Sequence, residues 1–184
     1  MMRLKYVLLV FVTFLAFPST VLSQKAKNER HPKLEIVDYP QSLKELLKKF
    51  DGKVIYIDLM ASWCKPCIAE LEEAKKLQPF FESHAIVRLY ITLDNKEDID
   101  KCFQKLNRDT ISGYFTSYHP IKEPSDSTFP QDISTLFLTD ENGNMSISVP
   151  KYAIVNKQGE IVVRRAERPS HGIALKKQLK EYLK

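Results

Sequence analysis

The fold is decided by the stretch Lys53-Val-Ile-Tyr-Ile-Asp-Leu-Met-Ala-Ser-Trp-Cys-Lys-Pro-Cys67. Its first half is an apolar run rich in β-branched and aromatic residues, which predicts a buried strand over 54–59. Its second half carries two cysteines in C-x-x-C spacing, directly before an amphipathic stretch. The pair is therefore expected where a strand gives way to a helix, and its spacing favours a redox-active disulfide.

The two cysteines supply the two thiols that thiol-disulfide exchange needs, one to attack and one to resolve the mixed disulfide. Unpaired N–H groups at a helix N-terminus stabilise a thiolate, so Cys64, at the exposed end, is the predicted nucleophile. Cys67 lies one turn further in and is the predicted resolving thiol. Lys65 adds a nearby positive charge, and Pro66 is tolerated in the first turn of a helix.

A structural zinc site and an inert turn are the alternative interpretations of the pair. A structural zinc site usually takes four Cys or His ligands. The chain has no second C-x-x-C, and its four histidines are widely scattered: His31, His84, His119 and His171. We therefore predict a redox pair, with no metal and no bound cofactor.

With Cys102 the chain has three cysteines, and an odd number of cysteines argues against a framework of structural disulfides. It lies in a stretch where Ile99, Phe103 and Leu106 recur with it at helical spacing. This pattern predicts a small buried residue, and a further redox role is the alternative.

The first 23 residues are typical of a secretory signal peptide. Arg3 and Lys5 precede the apolar run 6–17, and we predict cleavage after Ser23. An uncleaved membrane anchor is the alternative, although a span needs about 20 apolar residues. The mature chain, 24–184, is then exported to the periplasm, and its length fits one domain.

The net charge of the chain is +5, and Arg3 and Lys5 contribute two of those charges, which leaves +3 after removal of the signal. This excess is too small to indicate nucleic-acid binding. Basic residues near the C-terminus alternate with apolar ones, which is typical of solvated faces. These are Arg164, Arg165, Arg168, Lys176, Lys177, Lys180 and Lys184.

Further along the chain, strands and helices alternate, and this order favours a parallel core covered by helices. We expect Pro79 to kink or end the helix that begins at the cysteines. For residues 109–129 we predict only a strand near Tyr114 and a surface loop. The remaining predictions are strands at 34–37, 85–93, 152–155 and 160–163, and helices at 42–50, 96–106, 133–138 and, starting near Ser170, 173–183.

The segment Asp58-Leu-Met-Ala-Ser-Trp-Cys-Lys-Pro-Cys67 closely resembles the active-site segment of thioredoxins. With the signal peptide and an enlarged middle region, the chain resembles the TlpA/ResA-type branch of exported thiol-disulfide oxidoreductases. The resemblance implies an α/β thioredoxin fold, in which a central mixed sheet is flanked by helices. The N-terminal extension and an enlarged middle insertion would be additions to that fold.

Two acidic residues acquire roles through the resemblance. Asp58 matches the buried aspartate that in thioredoxins moves a proton to or from the inner cysteine, and burial raises the pKa of a carboxyl group. Glu70, three residues after Cys67, matches an active-site glutamate of the TlpA/ResA-type proteins. The alternatives are a strand-end residue facing water for Asp58 and an ordinary surface residue for Glu70.

The resemblance also implies a surface that binds the partner protein. Pro150 matches the cis-proline that faces the cysteines in the thioredoxin fold, and Val149 would offer its backbone to an extended substrate segment. A trans proline at the start of an edge strand is the alternative. We also predict that Trp63, Lys65 and Pro66 belong to this surface, with Trp63 partly exposed. Packing of Trp63 in the core is the alternative.

The sequence therefore predicts an exported enzyme that exchanges disulfides with protein partners, as a reductant, and is recharged by a membrane-bound electron donor. Cytochrome apoproteins, as in cytochrome c maturation, other thiol enzymes and misoxidised proteins are the candidate substrates. The alternatives are a disulfide oxidase or isomerase, a copper-binding chaperone of the same fold, and a thiol peroxidase.

Overall fold

A computed structural model describes residues 34–108, 111–120, 126–140 and 142–184. The predicted signal peptide and its cleavage site lie outside these residues. Among the described residues, no helix has both the length and the apolar character needed to cross a membrane.

The described residues form one six-stranded sheet with the strand order β1-β4-β3-β2-β5-β6. The first four strands in this order are parallel to one another, whereas β5 is antiparallel to both β2 and β6. The predicted mixed sheet is confirmed. The strands are β1 (Leu34–Ile36), β2 (Ile55–Met60), β3 (Val87–Thr92), β4 (Gly113–Ser117), β5 (Lys151–Val155) and β6 (Ile161–Val163).

Five α-helices accompany this sheet in the described part of the chain, and the second one carries the cysteine pair. The helices are α1 (Leu43–Lys48), α2 (Lys65–Ser83), α3 (Ile99–Arg108), α4 (Phe129–Ile133) and α5 (Gly172–Lys180). A π-helical turn, Ser134–Leu138, extends α4, and a 3-10 turn, Pro169–His171, precedes α5.

Of the two effects expected of Pro79, a kink or the end of the cysteine-bearing helix, the second is wrong, because α2 runs through Pro79 to Ser83. A proline removes one helical hydrogen bond. Here Leu77 and Phe81, on either side of Pro79, are both buried against the sheet. Their packing holds the last turn of the helix in place.

Other boundaries also differ from the sequence prediction: α3 begins at Ile99 rather than at 96, and α5 ends at Lys180 rather than at 183. The helix expected at 133–138 begins earlier, at Phe129, whose side chain is fully buried. Ser170 does not cap α5, because its N–H and hydroxyl both bind Glu70. A cap would need that hydroxyl to accept from the first turn of the helix.

The core consists of two clusters, and β2 contributes to both of them. The smaller cluster is formed by side chains of α2 and α5 packed on β2 and β5. All six residues of β2 are buried, Asp58 among them. The strand that leads to the cysteines is therefore fully enclosed, as the neighbouring β3 is, and it places them with little freedom.

Candidate functional site

Cys64 and Cys67 are joined by a disulfide at the beginning of α2, with their Cα atoms 5.2 Å apart. Cys64 is the N-cap of the helix, and the backbone N–H of Cys67 donates to its Sγ over 3.1 Å. Pro66 occupies the first turn, where a missing N–H costs no helical bond. The predicted strand-to-helix junction is confirmed. Negative charge that develops on Cys64 would be stabilised by this N–H and by the helix dipole.

The expectation that Cys64 is at an exposed end is wrong for this disulfide form. Cys64 is 4% exposed and Cys67 is 2% exposed, so both residues are covered. The cover comes from the loop before β5, since the carbonyl oxygen of Val149 lies 3.5 Å from the Sγ of Cys64. The position of Val149 opposite Cys64, rather than a large difference in exposure, distinguishes the two sulfurs.

The Val149–Pro150 peptide bond is cis, which is the geometry that the resemblance implied. Both residues are half-buried, at the point where the chain enters β5. Their proximity to Cys64 agrees with the expected arrangement of a proline facing the cysteines. That these residues bind substrate stays a prediction.

Three side chains at the cysteine loop are exposed around the covered disulfide. Trp63 is 61% exposed, which agrees with the predicted exposure of this aromatic residue. Lys65 and Pro66 are exposed as well. Trp63 therefore offers a large apolar surface next in sequence to the covered Cys64, and its contact with a partner stays a prediction.

Asp58 lies in the middle of β2, six residues before Cys64, and is 4% exposed. Burial, supported by the negative charge of Glu70, raises the pKa of Asp58 to about 8, and the positive charge of Arg88 opposes this rise. Its Oδ1 has no hydrogen-bond partner among the described residues. The alternative of a strand-end residue facing water is therefore wrong, and Asp58 can gain or lose a proton near neutral pH.

Glu70 is held inside the protein rather than on its surface, with 8% of the residue exposed. Its carboxylate accepts two hydrogen bonds from Ser170, one from the backbone N–H and one from the hydroxyl, both 2.8 Å long. The guanidinium of Arg168 lies 3.7 Å away. Glu70 therefore ties α2 to the segment before α5, and the alternative of an ordinary surface glutamate is wrong.

The structure adds residues that the sequence analysis missed. The carboxylate of Asp94, fully buried after β3, accepts from the backbone N–H of Ser62 over 2.8 Å and from its hydroxyl over 2.6 Å. These bonds fix the turn that precedes Trp63. Polar residues that follow two neighbouring parallel strands were the available signal, because such strand ends meet at one edge of a sheet.

A second missed feature is the buried polar group of Tyr152, on β5 directly opposite Asp58 in the antiparallel pair. Tyr152 is 4% exposed, and its hydroxyl has no hydrogen-bond partner among the described residues. Its pKa is raised by burial and by the charges of Asp58 and Glu70. Asp58 and Tyr152, opposite each other on β2 and β5, thus each have a buried polar atom without a hydrogen bond to the described residues, an unusual condition for a protein core.

Cys102 is a free cysteine in α3 and is 1% exposed. Burial raises the pKa of its thiol to about 12. The predicted small buried residue is confirmed. A thiol in this state holds its proton at neutral pH and is a poor nucleophile.

A disulfide at the N-terminus of a helix, directly after the central strand of a mixed sheet and opposite a cis-proline, defines an oxidoreductase of the thioredoxin fold. The chain belongs to the Redoxin family, whose model matches residues 25–182. The predicted membership of the thioredoxin-like superfamily is confirmed. No curated protein matches the chain in sequence.

Solved structures with the same fold include candidate thiol-disulfide oxidoreductases from Bacteroides vulgatus. One is 25% identical with a TM-score of 0.50, and the match covers 71% of this chain and 82% of that one. Another is 24% identical with a TM-score of 0.50, covering 74% and 75%. A candidate thiol:disulfide interchange protein DsbE from Chlorobium tepidum is 19% identical with a TM-score of 0.54, covering 75% and 85%.

Proposed function

We propose that this protein is an exported thiol-disulfide oxidoreductase that reduces disulfides of partner proteins. The observation that carries the proposal is the Cys64–Cys67 disulfide, which lies at the N-terminus of its helix. The Sγ of Cys64 is 3.5 Å from the Val149 carbonyl oxygen. A partner segment in extended conformation can bind to the Val149 backbone by strand addition. Its sulfur then lies next to Cys64.

In the reducing direction, the thiolate of Cys64 attacks one sulfur of the partner disulfide. The partner's S–S bond breaks, a mixed disulfide forms on Cys64, and the departing partner sulfur takes up a proton. Cys67 then attacks the sulfur of Cys64, and the second partner sulfur leaves as a thiol. Two electrons pass to the partner, and the protein retains the Cys64–Cys67 disulfide.

Asp58 is the proposed proton acceptor for Cys67 in the second step. The pKa of Asp58 is about 8. Its carboxylate form is therefore present at the pH values at which the Cys67 thiol must lose a proton. Glu70 acts on this step as a positioning residue. Its fixed charge raises the pKa of Asp58, and its bonds to Ser170 keep that charge in place.

The direction of electron flow is proposed from the resemblance to reducing members of the TlpA/ResA-type branch. A membrane-bound dithiol donor would return two electrons to the Cys64–Cys67 disulfide after each cycle. C-x-x-C proteins span reduction potentials from about −270 to −120 mV, so a measured potential separates a reductant from an oxidase or isomerase. Equilibration with glutathione redox buffers should place this pair toward the negative end.

Export is proposed from the sequence of the first 23 residues, with the periplasm as the destination. N-terminal sequencing of the protein recovered from a periplasmic extract should begin at Gln24. Protein that retains residues 1–23 and sediments with membranes would instead support the alternative of an uncleaved anchor.

The exchange activity is tested with a small neutral substrate, 2-hydroxyethyl disulfide, and the pre-reduced protein. We expect the disulfide to be reduced with the loss of two thiols per chain. Wild-type protein that leaves this disulfide intact would contradict the proposed function. Retention of both thiols with stoichiometric copper binding would favour the metal-chaperone alternative.

A further inference from the structure

A groove of about 1030 Å³ is lined by Pro150 and by residues on either side of it in the chain, among them Ser148 and Lys151. One wall is the π-helical turn after α4, and the other is the segment 162–168, which comprises the end of β6 and the residues that follow it. Pro150 directly follows Val149, whose carbonyl oxygen lies 3.5 Å from the Sγ of Cys64. A polypeptide bound at the Val149 backbone can therefore continue into this groove.

Four cationic side chains line the groove: Lys151, Arg164, Arg165 and Arg168. The three arginines are exposed. Arg168 lies near Glu70, whereas Arg164 and Arg165 form no ion pair with any described residue. We call this cavity the basic groove. Two of its charges are available to a ligand without the loss of an existing pair.

One carboxylate, that of Asp140, also lines the basic groove. Its Oδ1 accepts from the N–H groups of Asn142 and Asn144, both over 2.8 Å, and these bonds lower the pKa of Asp140. Four cationic side chains against this one carboxylate leave the lining with an excess of positive charge. The charge of Arg165 also lowers the pKa of Asp140, and its repulsion adds to burial in lowering the pKa of Lys151. An anion entering the groove would relieve this repulsion.

The arginine segment is held in position by three hydrogen bonds. The N–H of Ala166 donates to the carbonyl of Tyr152 over 3.0 Å, which fastens the segment to β5. The hydroxyl of Tyr56 donates to the carbonyl of Glu167 over 2.8 Å, and the N–H of Glu167 donates to Gln178 over 2.9 Å. A ligand would thus meet arginines on a fixed backbone, which lowers the entropy lost on binding.

We propose that the basic groove binds an acidic segment of the partner polypeptide, adjacent in sequence to the cysteine that Cys64 attacks. The proposal rests on the proposed function and adds the chemistry of the partner. An extended chain advances about 3.3 Å per residue, so an acidic segment of a few residues next to that cysteine could follow the groove from the Val149 backbone. The sequence pattern alone predicted solvated faces for these arginines, because it could not show that three of them line one cavity.

The test uses three peptides of equal length, each with one cysteine joined to 2-mercaptoethanol as a mixed disulfide. Four positions on one side of the cysteine carry glutamate, glutamine or lysine. Pre-reduced protein is mixed with each peptide at about 0.02 M and at about 1 M ionic strength, and the rate of peptide thiol release is measured by quenched chromatography. We expect the glutamate peptide to react about three- to tenfold faster than the glutamine peptide at low salt, and the lysine peptide slower.

Variants of surface residues test whether the preference for the glutamate peptide arises in the basic groove. Arg164→Glu/Arg165→Glu should abolish or invert the ratio of glutamate to glutamine rates, and Arg164→Lys/Arg165→Lys should retain most of it. Lys177→Glu/Lys184→Glu changes the net charge equally, on exposed residues that do not line the groove, and should keep the wild-type ratio. High salt should reduce every ratio toward one.

The outcomes separate this proposal from the proposed function. Failure of the wild-type protein to reduce the glutamine peptide would contradict exchange itself. Reduction of all three peptides at equal rates at low salt would overturn the basic groove as a binding site. Equal losses of preference in Arg164→Glu/Arg165→Glu and Lys177→Glu/Lys184→Glu would also overturn it, because overall charge would then explain the effect.

Discussion

The cysteine pair at the start of α2 and the single cysteine in α3 are both nearly inaccessible, yet their surroundings differ. Cys64 receives an N–H from its own helix and contacts the Val149 carbonyl at the protein surface, next to exposed Trp63. Cys102 lies on the buried side of α3, which is an amphipathic helix. This side of the helix forms part of the larger core cluster.

The comparison teaches that burial of the residue does not by itself decide the chemistry of a thiol. At Cys64, a hydrogen-bond donor and the positive end of a helix stabilise the thiolate. At Cys102, burial dominates and holds the pKa of the thiol near 12. We therefore expect disulfide exchange at Cys64 and Cys67 and a packing role for Cys102.

The largest expected effect separates the two regions by activity. Cys64→Ser should lower the rate of 2-hydroxyethyl disulfide reduction by about 1000-fold or more, because the attacking sulfur is lost. Cys102→Ala, as the matched control, should retain the wild-type rate. Comparable losses in both variants would remove the distinction between the regions.

The next effect concerns the reactivity of the thiols themselves. In the reduced protein at pH 7, iodoacetamide should alkylate Cys64 at least about 100-fold faster than Cys102, since only a thiolate reacts. Peptide mapping by mass spectrometry measures both sites in one sample. Denaturant should then expose Cys102 and equalise the rates; rapid labelling of Cys102 in the folded protein would contradict its buried state.

A smaller effect tests the proton acceptor beneath the pair. Below pH 8 Asp58 keeps its proton and cannot accept one from Cys67, so the rate of disulfide reduction should rise with pH through about 8. Asp58→Asn should abolish this rise and lower the rate about tenfold above that pH. Stopped-flow measurement of the reduction rate from about pH 6 to about pH 10 would give the midpoint of the rise. This range extends about two units on either side of the pKa of Asp58.

Glu70 provides the matched control for that profile. Because its negative charge raises the pKa of Asp58, Glu70→Gln should retain the rise but move its midpoint to lower pH. A midpoint that stays the same in both variants would assign the titration to another group.

The smallest expected effect is on stability in the second region. Cys102→Ala removes a buried sulfur from the core and should lower the free energy of unfolding by about 1 kcal/mol, while Cys102→Val, which fills the space, should cost less. Urea denaturation of the oxidised proteins measures both. An increase in stability for Cys102→Ala would contradict a packing role.

The sequence predicted the elements whose pattern is local and strong. The apolar run before the cysteines, the strands at 152–155 and 160–163 and the helix around Cys102 all follow from the residue pattern within a short stretch. The end of α2 could not be predicted in this way, because the effect of Pro79 depends on the burial of Leu77 and Phe81 against distant strands. Local pattern cannot weigh a tertiary contact against a lost hydrogen bond.

The candidate site divides in the same way. Cys64, Cys67 and Asp58 could be selected from one continuous stretch and its resemblance to a family. The bonds from Ser170 to Glu70 span 100 positions, and those from Ser62 to Asp94 span 32. The pairing of Ser170 with Glu70 has no signature in a single sequence, whereas the ends of two neighbouring strands gave an indirect signal for Ser62 and Asp94. The cover that Val149 places over Cys64 has no such signature.

Trapping of the mixed disulfide tests the central claim most directly. The reduced Cys67→Ser variant would be mixed with the disulfide-linked dimer of a one-cysteine peptide, and the products mapped by mass spectrometry. The account predicts one peptide per chain, joined to Cys64, with release of one free peptide thiol. A peptide on Cys102, or a chain that carries no peptide, would contradict it.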